Sequence, residues 1–219
     1  MAFMHPPDRA LTAGLRAQEV RNAATFFEAA IARYLEEIGR DYEAKVRHKF
    51  AEDAIDEFID HGIERWRVEG LFARTLRFSL FVTMYSFLEA DLHQLCLDYH
   101  QAEHLALGPG DISGKGINRS RLYLKKVVGL DFPDQHSTWH SIQSYVLIRN
   151  CIVHSGGRVG EDGNAKRLRS LLPTDQFAWS GADTIVVEPE LLLKAVGTVS
   201  DFWDELWRRA RRRAREQGQ

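Results

Sequence analysis

Cysteines, long apolar runs and net charge are all scarce in this chain, and each shortage excludes a class of protein. The two cysteines, Cys96 and Cys151, lie in apolar helical patterns without CxxC or Cys/His ligand spacing, so we expect reduced core residues rather than a disulfide or a zinc site. The most apolar stretch is interrupted by Glu89 and Asp91, and the first ten residues lack an apolar segment of signal-peptide length. We therefore expect a cytoplasmic protein with no membrane span.

Motifs for cofactors and metals are missing as well. There is no GxxxxGK[ST] phosphate loop and no GxSxG nucleophile turn. The pairs His100 and His104, and His136 and His140, have a spacing that puts two ligands on one helix face, but neither pair has an HExxH motif or a convergent cysteine. We expect no metal and no cofactor.

The charge balance leaves nucleic-acid binding to local patches. The chain has 31 acidic and 29 basic residues, a formal charge of -2, so the whole protein does not attract polyanions. Six arginines between Arg208 and Arg215 form either an RNA-contacting patch or a solvated helix end whose cations complement the macrodipole. The candidate RNA-binding residues are Arg119, Arg121, Lys125, Lys126, Arg208 and Arg212.

Apolar residues recur mainly at three- and four-residue steps, which predicts an all-α helical bundle. The pattern predicts helices over 11–61, as one helix or two joined near Arg40 and Asp41, then 64–103, 120–128, about 134–155 and 190–216. Residues 76–97 are apolar on nearly all sides, which indicates the central helix. Loops are predicted at 106–116 and 158–166, and a small peripheral β-hairpin within 176–189.

A chain of 219 residues with this composition is expected to form one domain. Within it we distinguish an N-terminal helical extension, 1–62, from a core, 64–157, and from a hairpin with the last helix, 175–216.

The stretch "SYVLIRNCIVHSGG", residues 144–157, places polar residues on a helix that is otherwise apolar. Arg149 and His154 are roughly 140° apart around the helix, whereas Asn150 and His154 are some 40° apart. A second copy of the helix, brought close by a two-fold axis, would close the larger gap. Either these residues are satisfied structurally, with Arg149 paired to Glu89 and the other two capping the helix end near Gly156, or they form a site.

The motif "RNCIVHSGG" resembles the R-N-x-x-x-H signature of the HEPN superfamily, the higher eukaryotes and prokaryotes nucleotide-binding domains. "YSFLEADLHQLC", with Glu89 after an aromatic residue and a leucine, is similar to the second conserved helix of these domains. "INRSRLYLKKVVGL" resembles the segment that joins the two helices in prokaryotic members. The resemblance covers residues 70–157 well, 175–207 less distinctively and the N-terminal region hardly at all.

The resemblance implies a helical homodimer that acts as a metal-independent endoribonuclease, often a toxin or an anti-phage effector. In that case His154 is the general acid/base, Arg149 clamps the phosphate, Asn150 orients His154 or donates to the phosphate, and Glu89 positions Arg149 through an ion pair. It also suggests a cognate antitoxin or regulatory protein. The RNA, tRNA or mRNA, cannot be read from the sequence, because specificity lies in surface shape.

Some HEPN-like proteins are non-catalytic binding modules, and inactive members commonly lose the arginine or the histidine, both of which this chain keeps. The alternative function is therefore a helical dimer that binds a nucleotide or a partner protein without cleaving RNA.

Overall fold

The protein is a mainly α-helical bundle, as the sequence predicts. The structure is a computed structural model and describes residues 6–160, 163–171 and 184–217. The helices are α1 (Pro6–Val46), α2 (Ile55–Trp66), α3 (Ala73–Ala102), α4 (Gly116–Lys126), α5 (Ser137–Ser155), α6 (Gly163–Leu171) and α7 (Pro189–Gln217). Short 3-10 segments, Ala51–Ala54 and Pro109–Asp111, precede α2 and α4, and a π-helical turn, Arg67–Phe72, joins α2 to α3.

The core lies where α3 and α7 run through the bundle against α1, α4 and α5. Helix α3 is buried along most of its length, which confirms it as the central helix, and Phe81, Leu92 and Leu95 are completely inaccessible. Helix α1 contributes the small buried residues Ala13, Ala17, Val20 and Ala24, whose size lets α7 approach closely. The first half of the N-terminal region is therefore built into the core.

The sequence predicts either one helix over 11–61 or two joined near Arg40 and Asp41, and the structure instead has two helices joined at 47–54. Helix α1 continues through both residues to Val46, and the chain turns between 47 and 50. Gly39, the only helix-weakening residue at the predicted break, is tolerated inside the helix. The second helix also begins earlier than predicted, because α2 passes without interruption through the π-turn into α3.

Both ends of α5 lie where the capping residues in the sequence predict them. His136 is its N-cap, and its Nδ1 accepts a hydrogen bond of 3.4 Å from the backbone N–H of Thr138. At the other end Gly156 adopts φ 60°, and the backbone N–H of Gly157 donates to the carbonyl of Cys151 at 3.0 Å. The glycines at 156 and 157 therefore end the helix as predicted.

The predicted β-hairpin is not supported. Its first strand and turn, 176–183, lie outside the described residues. Thr184 instead forms an isolated antiparallel bridge with Arg158, and the N–H of Ile185 donates to the carbonyl of Gly157 at 2.8 Å. Ile185 and Val187 are buried, so this segment packs onto the bundle beside the end of α5. The loop predicted at 158–166 is also partly wrong, because α6 begins at Gly163.

Both cysteines are buried in the core and not joined in a disulfide, as expected. Burial raises the pKa of the Cys96 thiol to about 12, so this thiol stays protonated at neutral pH. None of the helices in the described part of the chain combines the length and apolar character that a membrane crossing requires.

Candidate active site

The motif of α5 lies at the surface where α5 passes α3. Helix α5 turns Tyr145 and Ile148 into the core, so Arg149 and Asn150 are half-buried at its edge and His154 is exposed in the last turn. The three polar side chains of the motif therefore run along the helix from the edge of the core, at Arg149, to solvent, at His154.

Arg149 has a polar partner and an aromatic one. Its Nη1 donates to the Oδ1 of Asn150 at 3.0 Å, and its guanidinium carbon lies 6.0 Å from the ring centre of Tyr85. Its Nε is buried and has no hydrogen-bond acceptor among the described residues. The guanidinium therefore keeps N–H donors that no group of the described chain satisfies.

The carboxylate of Glu89 lies close to Tyr85 but does not pair with Arg149. Burial raises the pKa of the Tyr85 phenol, the charge of Glu89 raises it further, and Arg149 opposes the shift, so both charged groups lie near this ring. Within the described residues Arg149 forms no ion pair with Glu89. The expected ion pair is wrong because Arg149 turns towards Asn150 while Glu89 packs against the start of α4.

Gly116, the first residue of α4, makes room for Glu89. It adopts φ 54°, and a Cβ at this position would come within 2.7 Å of the Oε1 of Glu89. A larger residue would clash with the Glu89 side chain and would have to adopt a disfavoured backbone conformation. The glycine thus lets α4 begin directly against the carboxylate.

His154 lies beside a helix end that another arginine completes. Nη2 of Arg74, from the first turn of α3, donates to the carbonyl of Gly156 at 2.8 Å. Gly157 is equally constrained, since a Cβ there would meet the ring of Phe78 at 2.8 Å. These contacts fix the end of α5, while the imidazole of His154 makes no hydrogen bond to any other described residue.

The geometry therefore does not match the alternative in which the polar residues of the motif serve only the fold. Arg149 does not pair with Glu89, and backbone groups and Arg74 complete the helix end, whereas Asn150 and His154 do not. Asn150 accepts from Arg149 and is not hydrogen bonded to His154, so the expected orienting contact is absent between these two described residues.

The candidate RNA-binding residues fall into two groups. Arg121 and Lys125 both donate to the buried carboxylate of Asp134, at 2.9 and 2.8 Å, and so serve the core. The others are at the surface, Lys126 exposed, Arg119 donating to the carbonyl of Gly114, Arg208 paired with Glu205 and Arg212 paired with Asp131. The structure does not gather these six side chains around His154.

The sequence interpretation missed Tyr85 and Arg74. Tyr85 is four residues before Glu89, a helical spacing that puts both on one face, so this signal was available. Arg74 reaches the end of α5 across 82 residues of sequence, and no local pattern predicts that contact.

No protein-family model, curated protein or solved structure matched the chain in our comparisons. Among the described residues no cluster of three or more His, Cys, Asp or Glu side chains has a metal-binding arrangement.

Proposed function

We propose that the protein is a cytoplasmic, metal-independent endoribonuclease of the HEPN type. The observation that carries the proposal is an exposed His154 five residues after Arg149, whose guanidinium pairs with no carboxylate among the described residues. A cation without a protein counter-ion suits an anionic ligand, and an imidazole titrates near neutral pH. Together they suit a reaction that moves protons at a phosphate group.

RNA brings its own nucleophile to such a site. The 2'-oxygen attacks the adjacent phosphorus, the bond from phosphorus to the 5'-oxygen breaks, and the leaving 5'-oxygen takes up a proton. The products are a 2',3'-cyclic phosphate and a 5'-hydroxyl. Arg149 would stabilise the charge on the phosphate oxygens, and the amide N–H groups of Asn150, whose oxygen accepts from Arg149, would assist.

The proposed homodimer follows from this proton balance. The reaction needs a base for the 2'-hydroxyl and an acid for the 5'-oxygen, whereas one copy of the motif supplies a single histidine. A two-fold axis near α5 would bring two copies of His154 to one phosphate. Glu89 would then act on the site through its negative charge beside Tyr85, and not through an ion pair with Arg149.

The test is cleavage of total tRNA and of a structured mRNA in EDTA, followed by end-group analysis. We expect the wild type and His140→Ala to cleave and His154→Ala to be inactive. His140 is a matched control because it is exposed on the same helix. Cleavage by His154→Ala at the wild-type rate would refute the mechanism.

The resemblance also motivates a biological role as a toxin or anti-phage effector held in check by a cognate antitoxin. Expression of the wild type should arrest growth, and His154→Ala should relieve the arrest. Equal toxicity of the two proteins would exclude RNA cleavage by this motif as the cause.

A non-catalytic interaction module remains the second candidate, and one observation favours it. A groove of about 720 Å³ between α1 and the segment from α2 to α3 is lined chiefly by apolar side chains, among them Phe26, Phe27, Val68 and Phe72. This function predicts no RNA cleavage by any variant and retention of a partner whether or not His154 is present.

A further inference from the structure

Helix α2 is strongly amphipathic, and its apolar face points to solvent. None of its residues is buried. Its polar face looks towards α1, where His61 stacks on Tyr42 at 4.4 Å and Glu64 accepts a hydrogen bond from the Tyr34 hydroxyl at 3.3 Å. Its apolar face looks outward, and consists of Ile55, Phe58, Ile59, Ile63 and Trp66. We call these five residues the α2 face.

The α2 face is large enough to form most of a stable interface. Its side chains are 49 to 66% exposed. This amounts to on the order of 600 Å² of apolar surface, against the roughly 800 Å² that each partner contributes to a standard interface. A contiguous apolar patch of this size normally marks a binding surface.

Gly62 lies at the centre of the α2 face, flanked by Phe58, Ile59, Ile63 and Trp66 at helical spacing. Nothing in the described chain requires a glycine there, since an added Cβ would find no atom within 4 Å. A glycine weakens a helix interior relative to alanine. It does, however, let a second helix approach closely across an apolar face.

The charges beside the α2 face are arranged for a second copy of the same helix. Asp56 and Arg67 are eleven residues apart, so they lie on the same side of the helix, roughly 20° apart, towards opposite ends. Asp56 has no ion-pair partner among the described residues, and Arg67 is 65% exposed although it pairs with Glu64 at 3.0 Å. An antiparallel copy therefore brings the acidic end of one helix beside the basic end of the other.

We propose that two chains associate through antiparallel contact of their α2 faces, with the two-fold axis at Gly62. In this arrangement Phe58 packs on Trp66 of the second copy, since each lies four residues from the axis. Asp56 pairs with Arg67 of the second copy, and symmetry repeats both contacts. The inference concerns α2 and does not depend on RNA cleavage.

A cysteine at the axis tests the geometry directly. Gly62→Cys brings two thiols together across the two-fold axis, so oxidation with copper phenanthroline should give a covalent dimer at twice the 25.1 kDa of one chain. Gly39→Cys in α1 is the matched control, because an added Cβ there also meets nothing within 4 Å. Cys96 and Cys151 are buried and should not interfere. Equal cross-linking of the two variants would overturn the proposed axis.

Light scattering at micromolar and higher protein concentrations tests the interface without oxidation. We expect the wild type and Gly39→Gln to have at least twice the mass of Gly62→Gln and Phe58→Glu, with unchanged helical content. The smaller species is a monomer if α2 is the only contact between copies, and a dimer if the two-fold contact near α5 forms as well. Asp56→Arg and Arg67→Asp should each weaken the dimer at least tenfold, and the double variant should recover it.

Two outcomes of this measurement contradict the proposal. A wild type that stays monomeric assigns the α2 face to a different protein or to another part of this chain. A mass in Gly62→Gln and Phe58→Glu that equals the wild-type mass means that the copies associate through another surface, such as the two-fold contact near α5 that the proposed nuclease requires. Loss of the α2 dimer with RNA cleavage retained would separate the two proposals.

Discussion

Two tyrosines on α3 each contact an arginine, and the two arginines differ in their hydrogen-bond partners. The guanidinium of Arg213 lies 5.4 Å from the ring centre of Tyr99, and that of Arg149 lies 6.0 Å from the ring centre of Tyr85. Each tyrosine is followed four residues later by a glutamate, Glu103 or Glu89. The two places therefore begin from the same local pattern of residues.

Only one of the two arginines pairs with its glutamate. Both Nη atoms of Arg213 bind Glu103, one of them at 2.9 Å, and Nη2 also donates to the carbonyl of Val128 at 2.7 Å. Hydrogen bonding to Glu103 raises the pKa of the Arg213 guanidinium. Arg149 has a neutral amide instead. A fully paired arginine stabilises the fold, whereas one left without a carboxylate is available to bind an external anion.

The largest expected effect is on RNA cleavage. Arg149→Ala and His154→Ala should each lower the rate by about 10²–10⁴-fold, the range for loss of a charge-stabilising or proton-transfer group. Arg213→Ala should cleave at the wild-type rate at a temperature where it is folded. Single-turnover cleavage measures this contrast, and equal losses for Arg149→Ala and Arg213→Ala would remove the distinction between the two arginines.

Stability should respond in the opposite order. Arg213→Ala should lower the free energy of unfolding by about 2 kcal/mol, because Glu103 loses two charge-assisted hydrogen bonds in a mostly buried place. Arg149→Ala should cost less than about 1 kcal/mol, since it removes one hydrogen bond to an amide. Urea denaturation of both variants checks this order.

A double-mutant cycle sharpens the same comparison. The coupling energy between Arg213 and Glu103 should be about 1–2 kcal/mol, and that between Arg149 and Glu89 should be close to zero. The glutamates would be changed to glutamine and the arginines to methionine, which preserves much of the side-chain volume. A strong coupling between Arg149 and Glu89 would reveal an ion pair that the structure does not contain.

The smallest expected effect is the pH dependence from Asp134, a buried carboxylate that is satisfied in the same way as Glu103. Its hydrogen bond from Lys125, supported by that from Arg121, lowers its pKa below the ordinary 3.8. A lowered pKa means that Asp134 contributes stability above about pH 4, and that this contribution is lost as the pH falls through the lowered value. Asp134→Asn should be less stable at neutral pH and should lose less stability in acid than the wild type. Thermal melts across pH 2–7 measure the difference.

Much of the fold could be predicted because its signals are local. The apolar pattern of α3, the capping residue His136 and the glycines after Ser155 each act within a few residues of the feature they determine. The errors arose where a distant contact decides. The segment after Thr184 pairs with Gly157 and Arg158 rather than with a hairpin partner, and the break after α1 falls where no proline marks it.

The candidate site was predictable as a set of residues but not as a set of contacts. The spacing of Arg149, Asn150 and His154 places them on one stretch of helix, and their exposure follows from the buried face opposite. Whether Arg149 turns to Glu89 or to Asn150 depends on side-chain packing between α3, α4 and α5. Arg74 and Gly116 take part in that packing from places that no short motif connects to α5.

The π-turn at Arg67–Phe72 sets the phase between two apolar stripes. A π-helical turn holds one residue more than the α-helical turn it replaces, and one residue corresponds to about 100° of rotation around the axis. The buried side of α3 is therefore rotated by about 100°, relative to α2, from the direction that an uninterrupted α-helix would give it. A single added residue thus sets the angle between the outward apolar face of α2 and the buried side of α3 along one continuous helix.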